Sequence, residues 1–218
     1  MTTFPNSPRL IKGGIVLIDP ETSAVQRTIT LQYNPDTITR TLQVQGAGSE
    51  SGNRSEALRL KGPPVETFKL DAEIDATDQL EFPNENPNAI KYGIHPHLAV
   101  LENIIYPTSS QLLSNNRLAQ SGTLEISPMQ APLTLFIWSK NRILPVRLTE
   151  FSITEEAFDT SLNPIRAKVS LGMRVLSVDD LGFNHNGGSL FMAYLQQKER
   201  LAEMNRGGVL STLGIGGF

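Results

Sequence analysis

The sequence predicts a mainly β protein: an antiparallel β-barrel or sandwich with one packed α-helix, a long hairpin and a C-terminal helical extension. Two stretches, residues 65–75 and 143–178, alternate apolar and polar side chains over lengths well beyond the usual strand of ~5–6 residues. No strand–helix–strand alternation of the kind that builds a parallel nucleotide-binding sheet is present in the sequence.

Residues 143–178 predict the hairpin around which the other elements are organised. Its two arms are joined by residues 159–164, where Asn and Asp can bond to nearby backbone and proline fixes φ, so a turn is expected. In the first arm the apolar phase slips between Leu148 and Phe151, which predicts a β-bulge or a change of buried face.

The second arm of the hairpin alternates most regularly. Because successive side chains of a strand point to opposite faces, one face is predicted to be buried. That face carries Ile165, Ala167, Val169, Leu171, Met173 and Val175. The opposite face carries Arg166, Lys168, Ser170, Gly172 and Arg174.

Three shorter strands are predicted nearer the N-terminus, at residues 15–18, 26–33 and 37–44, and the turn-forming residues 19–23 and 34–36 separate them. Such short connections predict that the three strands pair in sequence order as a meander.

Two loops and several helices complete the prediction. Residues 45–63 are small, polar and glycine-rich, and a loop of that length is usually functional or disordered. Residues 78–93 contain two prolines and three asparagines and predict a second loop. Further elements are predicted as the packed helix 95–106, a weaker helix 109–119, a strand 133–138 and a helix 189–204 with Ser189 as N-cap.

Composition excludes several classes of function for this chain of 218 residues. A net charge of −3 argues against general nucleic-acid binding, which needs a basic surface. The absence of cysteine excludes disulfides, thiolate metal sites and a cysteine nucleophile. No secretory signal is visible and no apolar run approaches the ~20 residues of a membrane span. We therefore expect a protein that is cytoplasmic when synthesised and does not insert directly into a membrane.

A carboxylate row on one face of the predicted strand 65–75 offers the sharpest candidate for chemistry. It contains Asp71, Glu73 and Asp75, with Asp78 beyond. Alternate Cβ atoms on one strand face lie ~7 Å apart, so this row could do acid–base work or hold a divalent cation. We favour a solvated face or a subunit contact, because no histidine or second acidic cluster is identifiable as a partner. A basic row could pair with it across a sheet or between subunits: Arg166, Lys168 and Arg174.

The remaining candidate motifs are weak. His95 and His97 are close together but lack further ligands, and His185 lies in a predicted loop. The glycine-rich segment 46–52 fits neither a dinucleotide-binding fingerprint nor a nucleophile elbow. The sequence therefore predicts no catalytic residue, no cofactor, no metal ligand and no enzymatic activity. The alternatives left open are a carbohydrate- or metal-binding β-domain that uses Asp71, Glu73 and Asp75, and a monomeric ligand-binding barrel.

Five separated segments, in one order, resemble the tube-initiator or baseplate hub-adaptor proteins of phage-tail-like contractile injection systems. They are residues 10–16 (LIKGGIV), 32–40 (QYNPDTITR), 59–66 (RLKGPPVE), 71–78 (DAEIDATD) and 158–167 (FDTSLNPIRA). The similarity extends over residues 10–205, nearly the whole chain.

The resemblance implies a tube-protein-like domain at residues 1–178, followed by a C-terminal helix and glycine-rich tail at residues 179–218. It also implies a hexameric ring whose partners are the inner tube protein, the spike or hub protein and the baseplate, with sheath components as further candidates. Many relatives carry a LysM domain after the tube-like domain, and only fourteen residues follow Met204 here, so a LysM-less form is expected. The ring is expected in an injection particle that is cytosolic, membrane-anchored or released.

Overall fold

Seven β-strands and six α-helices are present in the computed structural model, which describes residues 10–46, 59–122, 131–205 and 207–217. The strands are β1 (Gly14–Ile18), β2 (Val25–Thr30), β3 (Ile38–Gln43), β4 (Val65–Asp75), β5 (Leu133–Ser139), β6 (Arg142–Phe158) and β7 (Pro164–Val175). The helices are α1 (Thr77–Leu80), α2 (Pro87–Tyr92), α3 (His95–Glu102), α4 (Ser109–Gln120), α5 (Val178–Leu181) and α6 (Asn186–Met204). A 3-10 turn follows at Leu210–Leu213. The mainly β class is confirmed.

The long hairpin is confirmed as β6 and β7, which pair antiparallel from Val146–Val175 to Phe158–Pro164. Its turn is held by the Asp159 carboxylate, which accepts bonds from the backbone N–H groups of residues 161 and 163. β7 pairs along its other edge with β4, so it lies between the long strands β6 and β4.

The predicted phase slip in the first arm is a β-bulge. Leu148 lies opposite Met173 and Glu150 lies opposite Gly172, so Thr149 is the extra residue. A Cβ atom on Gly172 would lie 2.7 Å from the Cβ atom of Glu150, so the bulge requires glycine at this position.

The main core lies on one face of the sheet, against α3 and α6. The face of β7 predicted to be buried supplies much of it, and Ala167, Val169 and Met173 are fully inaccessible to solvent. Leu98 and Leu101 of α3 pack into the same cluster. Side chains from strands that are distant in sequence therefore share one core. A second, smaller cluster of Ile18, Leu133 and Leu135 lies on the other face of β1 and β5, against α5 and α6.

The predicted meander of three N-terminal strands is wrong. The sheet order is β2-β1-β5-β6-β7-β4-β3, which places β2 and β3 at opposite edges. β1 pairs with β2 on one side and with β5 on the other, and β3 pairs instead with β4. The side chain of Asn34 bonds to the backbone of Ile11 and Gly13 at 2.9 Å each, and from there the chain crosses to the far edge.

The predicted barrel does not close as a continuous hydrogen-bonded ladder, because β2 and β3 are both edge strands. The sheet nevertheless curls until β2 and the end of β4 share one core. The Gln32 side chain bridges them: its Nε2 donates to the Asp75 carbonyl at 2.6 Å, and its Oε1 accepts from the Asp75 N–H at 3.0 Å. A side-chain amide thus stands where a facing peptide group would stand in a closed barrel.

Three helical predictions need correction. Residues 78–93 are not a loop but contain part of α1 and all of α2. Proline can be the first residue of α2, because an N–H at that position would have no partner within the helix. The packed helix α3 ends at Glu102 rather than at residue 106. α6 begins three residues before Ser189, because the His185 side chain caps it by accepting from the Gly187 N–H at 3.0 Å. No helix among the described residues is long and apolar enough to cross a membrane.

A buried carboxylate fastens α6 to the sheet. Glu66 of β4 is 3% exposed and accepts hydrogen bonds from the Tyr194 hydroxyl and the Lys198 ammonium, each at 2.9 Å. The Arg40 guanidinium of β3 lies 3.4 Å from the same carboxylate. Burial raises the pKa of Tyr194 above its usual value, and the negative charge of Glu66 adds to the shift.

Replacing Val169 by aspartate should destabilise the fold by about 4 kcal/mol, because it places a carboxylate in a fully buried apolar site. The matched control is Thr154→Asp on the exposed face of β6, opposite Lys168, which should leave stability nearly unchanged. Urea unfolding followed by circular dichroism measures both, and equal losses would contradict the assignment of the two faces.

The raised pKa of Tyr194 predicts a pH dependence. Stability from the protonated phenol is fully present below its unfolded pKa of about 10 and is lost as the pH rises through the higher folded value. Tyr194→Phe should cost about 2 kcal/mol at pH 8 by removing the bond to Glu66, and this cost should shrink at pH 11. Unfolding at both pH values tests this, with the exposed Tyr106→Phe as control. An unchanged cost at pH 11 would refute it.

Candidate functional site

Along part of their length, the strands β4, β7 and β6 share one face that carries only polar side chains and glycine. This polar face is defined by Lys69, Asp71, Glu73 and Asp75 of β4, by Gly172, Ser170, Lys168 and Arg166 of β7, and by Glu150, Ser152, Thr154 and Glu156 of β6. The register aligns them in rows that cross the three strands. The acidic and basic rows predicted from the sequence therefore lie side by side in one subunit.

Charges on the polar face are paired across the strands. Lys69 donates to Glu150 at 2.6 Å, and Arg166 donates to Asp75 at 2.8 Å. The ammonium of Lys168 lies 3.8 Å from the carboxylate of Glu156. Of these three contacts, the one between Arg166 and Asp75 joins the acidic and basic rows, and it does so across the sheet within one subunit, whereas Lys168 pairs with a carboxylate of β6. Exposed pairs of this kind contribute little stability individually, and together they fix a hydrophilic surface.

Arg174, the third member of the basic row, pairs elsewhere. Its guanidinium donates to Asp180 of α5 at 2.8 Å, beyond the end of the polar face.

The acidic row is engaged by hydrogen-bond donors. The hydroxyl of Ser170 donates to Asp71 at 2.5 Å, and Arg166 lies 4.0 Å from Glu73. Burial raises the pKa of Asp75, but hydrogen bonds from Thr77 and Arg166 outweigh it, so the pKa lies below the usual 3.8. Stability from this pairing is fully present above that usual value and is lost as the pH falls through the lowered one.

The histidines do not come together as a ligand set. His95 and His97 are exposed in the first turn of α3, and His185 caps α6. Within the described residues, no three histidine, aspartate or glutamate side chains are grouped so as to hold a metal ion. Residues 47–58 lie outside the described residues, and they include most of the glycine-rich segment 46–52 and of the predicted loop 45–63.

Two strand edges flank the polar-faced sheet, and sequence reasoning did not identify them. β5 reaches β6 only as far as Val146, so residues 147–158 of β6 pair with β7 alone. On the far side, β3 pairs with β4 alone. In the described part of the chain, both edges therefore present backbone groups without a partner strand.

Hydrogen-bond alternation identifies the outward-pointing groups of the β6 edge. The Ala76 N–H donates to Ile165 at 3.0 Å, so odd-numbered residues of β7 face β4 and even-numbered ones face β6. Because Glu156 lies opposite Arg166, the backbone groups of the even-numbered residues of β6 beyond the bulge point toward β7. The N–H groups that point outward belong to Phe151, Ile153 and Glu155.

A curled antiparallel sheet with a hydrophilic face and two open edges defines a structural protein suited to assembly. The family model described as "Contractile injection system tube protein" matches residues 15–180. The chain therefore belongs to the contractile injection system tube protein family, and it is a structural component of a phage-tail-like particle. No curated protein matches the chain.

Two solved structures are similar to the chain. The tail of an empty GTA particle, refined with C6 symmetry, has 12% identity and a TM-score of 0.29, and the match covers 75% of this chain and 90% of that one. The virion of a native gene transfer agent particle has 11% identity and a TM-score of 0.25, covering 74% of this chain and 90% of that one.

The alternative use of the acidic row for a divalent cation can be tested directly. Because Asp75 and Glu73 face Arg166, and Asp71 faces Ser170, we expect millimolar Ca²⁺ to leave the melting temperature unchanged. The triple variant D71N/E73Q/D75N should lose about 1 kcal/mol through the broken, partly exposed ion pairs. A rise in melting temperature with Ca²⁺ that disappears in this variant would support the cation site instead.

Proposed function

We propose that this protein forms a ring that joins the inner tube to the spike-bearing hub of the baseplate and initiates tube assembly. The observation that carries the proposal is the pair of open edges, β3 and residues 147–158 of β6, on opposite sides of a sheet with one hydrophilic face. The resemblance of five sequence segments to tube-initiator proteins supports the particular role.

The ring forms by strand pairing between neighbouring copies. The β3 edge of one copy adds to the β6 edge of the next, so that each copy uses a different surface on each side. Such a heterologous contact generates a closed ring when its rotation completes a circle, and closure removes both exposed edges. The six copies implied by the family resemblance are the proposed number.

The polar face lines the lumen of the proposed ring. The inner circumference of a ring is shorter than the outer one. The sheet is the thinner layer and therefore fits on the inside, and the helices α3 and α6 fit on the outside. Alternation places the outward side chains of three strands toward the lumen. Their paired charges give a wetted wall that offers passing cargo no apolar surface to bind.

The two predicted regions take different parts in this assembly. Residues 1–178 form the ring wall, and residues 179–218 supply a helix on its outside and a tail beyond it. The upper and lower rims contact the inner tube protein and the hub, within a baseplate that sheath components surround. The subunits are made in the cytoplasm and assemble into the particle there. We propose no enzymatic role.

A proline on the outward β6 edge should prevent ring formation. Glu155→Pro removes an N–H that points away from β7, so the subunit should fold while pairing between copies is lost. The matched control Glu155→Ala keeps this N–H and should form rings as the wild type does. Light scattering after size-exclusion chromatography, with negative-stain imaging, measures assembly alone and with co-expressed tube protein.

Leu42→Pro makes the same test on the outward edge of β3, with Leu42→Ala as its control. Circular dichroism should show all four variants folded. Rings that persist in both proline variants would overturn the proposed edge-to-edge contact.

A further inference from the structure

An apolar groove separates β2 from the end of β4. Its volume is about 370 Å³, and its floor is formed by α3. Its apolar lining includes Ile29, Leu31, Ala72, Ile74, Val100 and Leu101. Glu73 and His97 are its titratable lining residues, so an occupant needs little charge.

Backbone groups on both walls of the groove can pair with an extended segment. β3 ends opposite Leu70, so it does not reach Asp71 and Glu73, whose N–H and C=O groups point to the same side as those of Asp75. On the other wall, the Leu31 N–H donates to the Gly13 carbonyl, so the backbone groups of Leu31 face β1. The backbone groups of the preceding residue, Thr30, therefore point into the groove. The groove therefore has the walls of a sheet from which one strand is missing.

The chain itself carries a segment with matching chemistry. Residues 207–217 contain no charged side chain and expose four large apolar ones. These are Val209, Leu210, Leu213 and Ile215, of which Leu213 is 74% exposed. In an extended conformation Val209, Leu213 and Ile215 fall on one face, and five glycines leave the backbone sterically free to change from the present 3-10 turn.

The helix that leads into the tail contacts the sheet at the end of β4 opposite to the groove. α6 makes its last contacts with the sheet through Gln197 to Asn141 and Lys198 to Glu66, where β4 begins. The groove lies where β4 ends, and the strand from Glu66 to Ile74 spans ~26 Å. A tail that leaves one end is placed to reach the opposite end of another copy.

We infer that the C-terminal tail of one copy enters the groove between β2 and β4 of a second copy and completes its sheet as an added strand. This contact is head-to-tail, so each copy can give its tail and receive another. It uses neither edge of the proposed ring, and it therefore links copies independently of the ring contact.

Disulfide crosslinking tests the contact because the chain contains no cysteine. One tagged preparation carries Leu213→Cys and a second, differently tagged one carries Val100→Cys. After mixing at a concentration where the wild type associates, oxidised glutathione should produce a crosslinked product that carries both tags. The matched control replaces Leu213→Cys by Thr212→Cys, whose side chain points away from the groove, and should give about tenfold less product.

A chain that carries both Leu213→Cys and Val100→Cys separates the possible occupants. Crosslinking between copies should fall when this protein is diluted with cysteine-free chains. Crosslinking within one chain would not fall, and that result would overturn the second-copy assignment. A yield no higher than that of the Thr212→Cys control would overturn docking of the tail altogether.

A second measurement separates this contact from the ring. In the Glu155→Pro background the mixed crosslink should persist, because the tail and groove do not include the β6 edge. Leu213→Asp should weaken self-association measured by sedimentation about tenfold, whereas Thr212→Asp should not. Association that is unchanged in Leu213→Asp would contradict the inference even if the proline variants abolish rings.

Discussion

The pairing of β7 on both of its edges is the constraint on which the rest of the structure depends. β4 and β6 hold it along nearly its whole length, so its backbone groups are satisfied on both sides. A slip of one residue would turn Val169 and Met173 out of the core and bring Lys168 into it. The core, the polar face and the positions of the outer edges all follow from this one register.

The parts of the fold that depend on local alternation could be predicted from the sequence. β4 matches its predicted bounds, and the phase slip at Thr149 is a real bulge, because period two is written directly in the residues. The meander and the closed barrel were wrong predictions, because the pairing of β1 with β5 and of β4 with β7 joins strands that are distant in sequence. Loop-like composition concealed the short helix at Pro87–Tyr92.

The candidate site was predictable to the same extent. The faces of Asp75 and Arg166 were evident from periodicity, but their contact at 2.8 Å depends on the register between two strands. Glu66 gave a signal that was missed: it occupies a position in the buried phase of β4, where a carboxylate needs partners. Its partners Tyr194 and Lys198 are four residues apart, on one side of a helix.

The extra residue at Thr149 sets a rule for how β6 can change in length. Before the bulge the even-numbered residues of β6 face the core, and after it they face the polar side. Leu148 lies opposite Met173, whereas Glu150 lies opposite Gly172. An insertion or deletion of one residue in the arm would exchange the two faces, whereas a change of two residues would preserve them. The arm can therefore lengthen or shorten among relatives only in steps of two residues, unless a second bulge restores the phase.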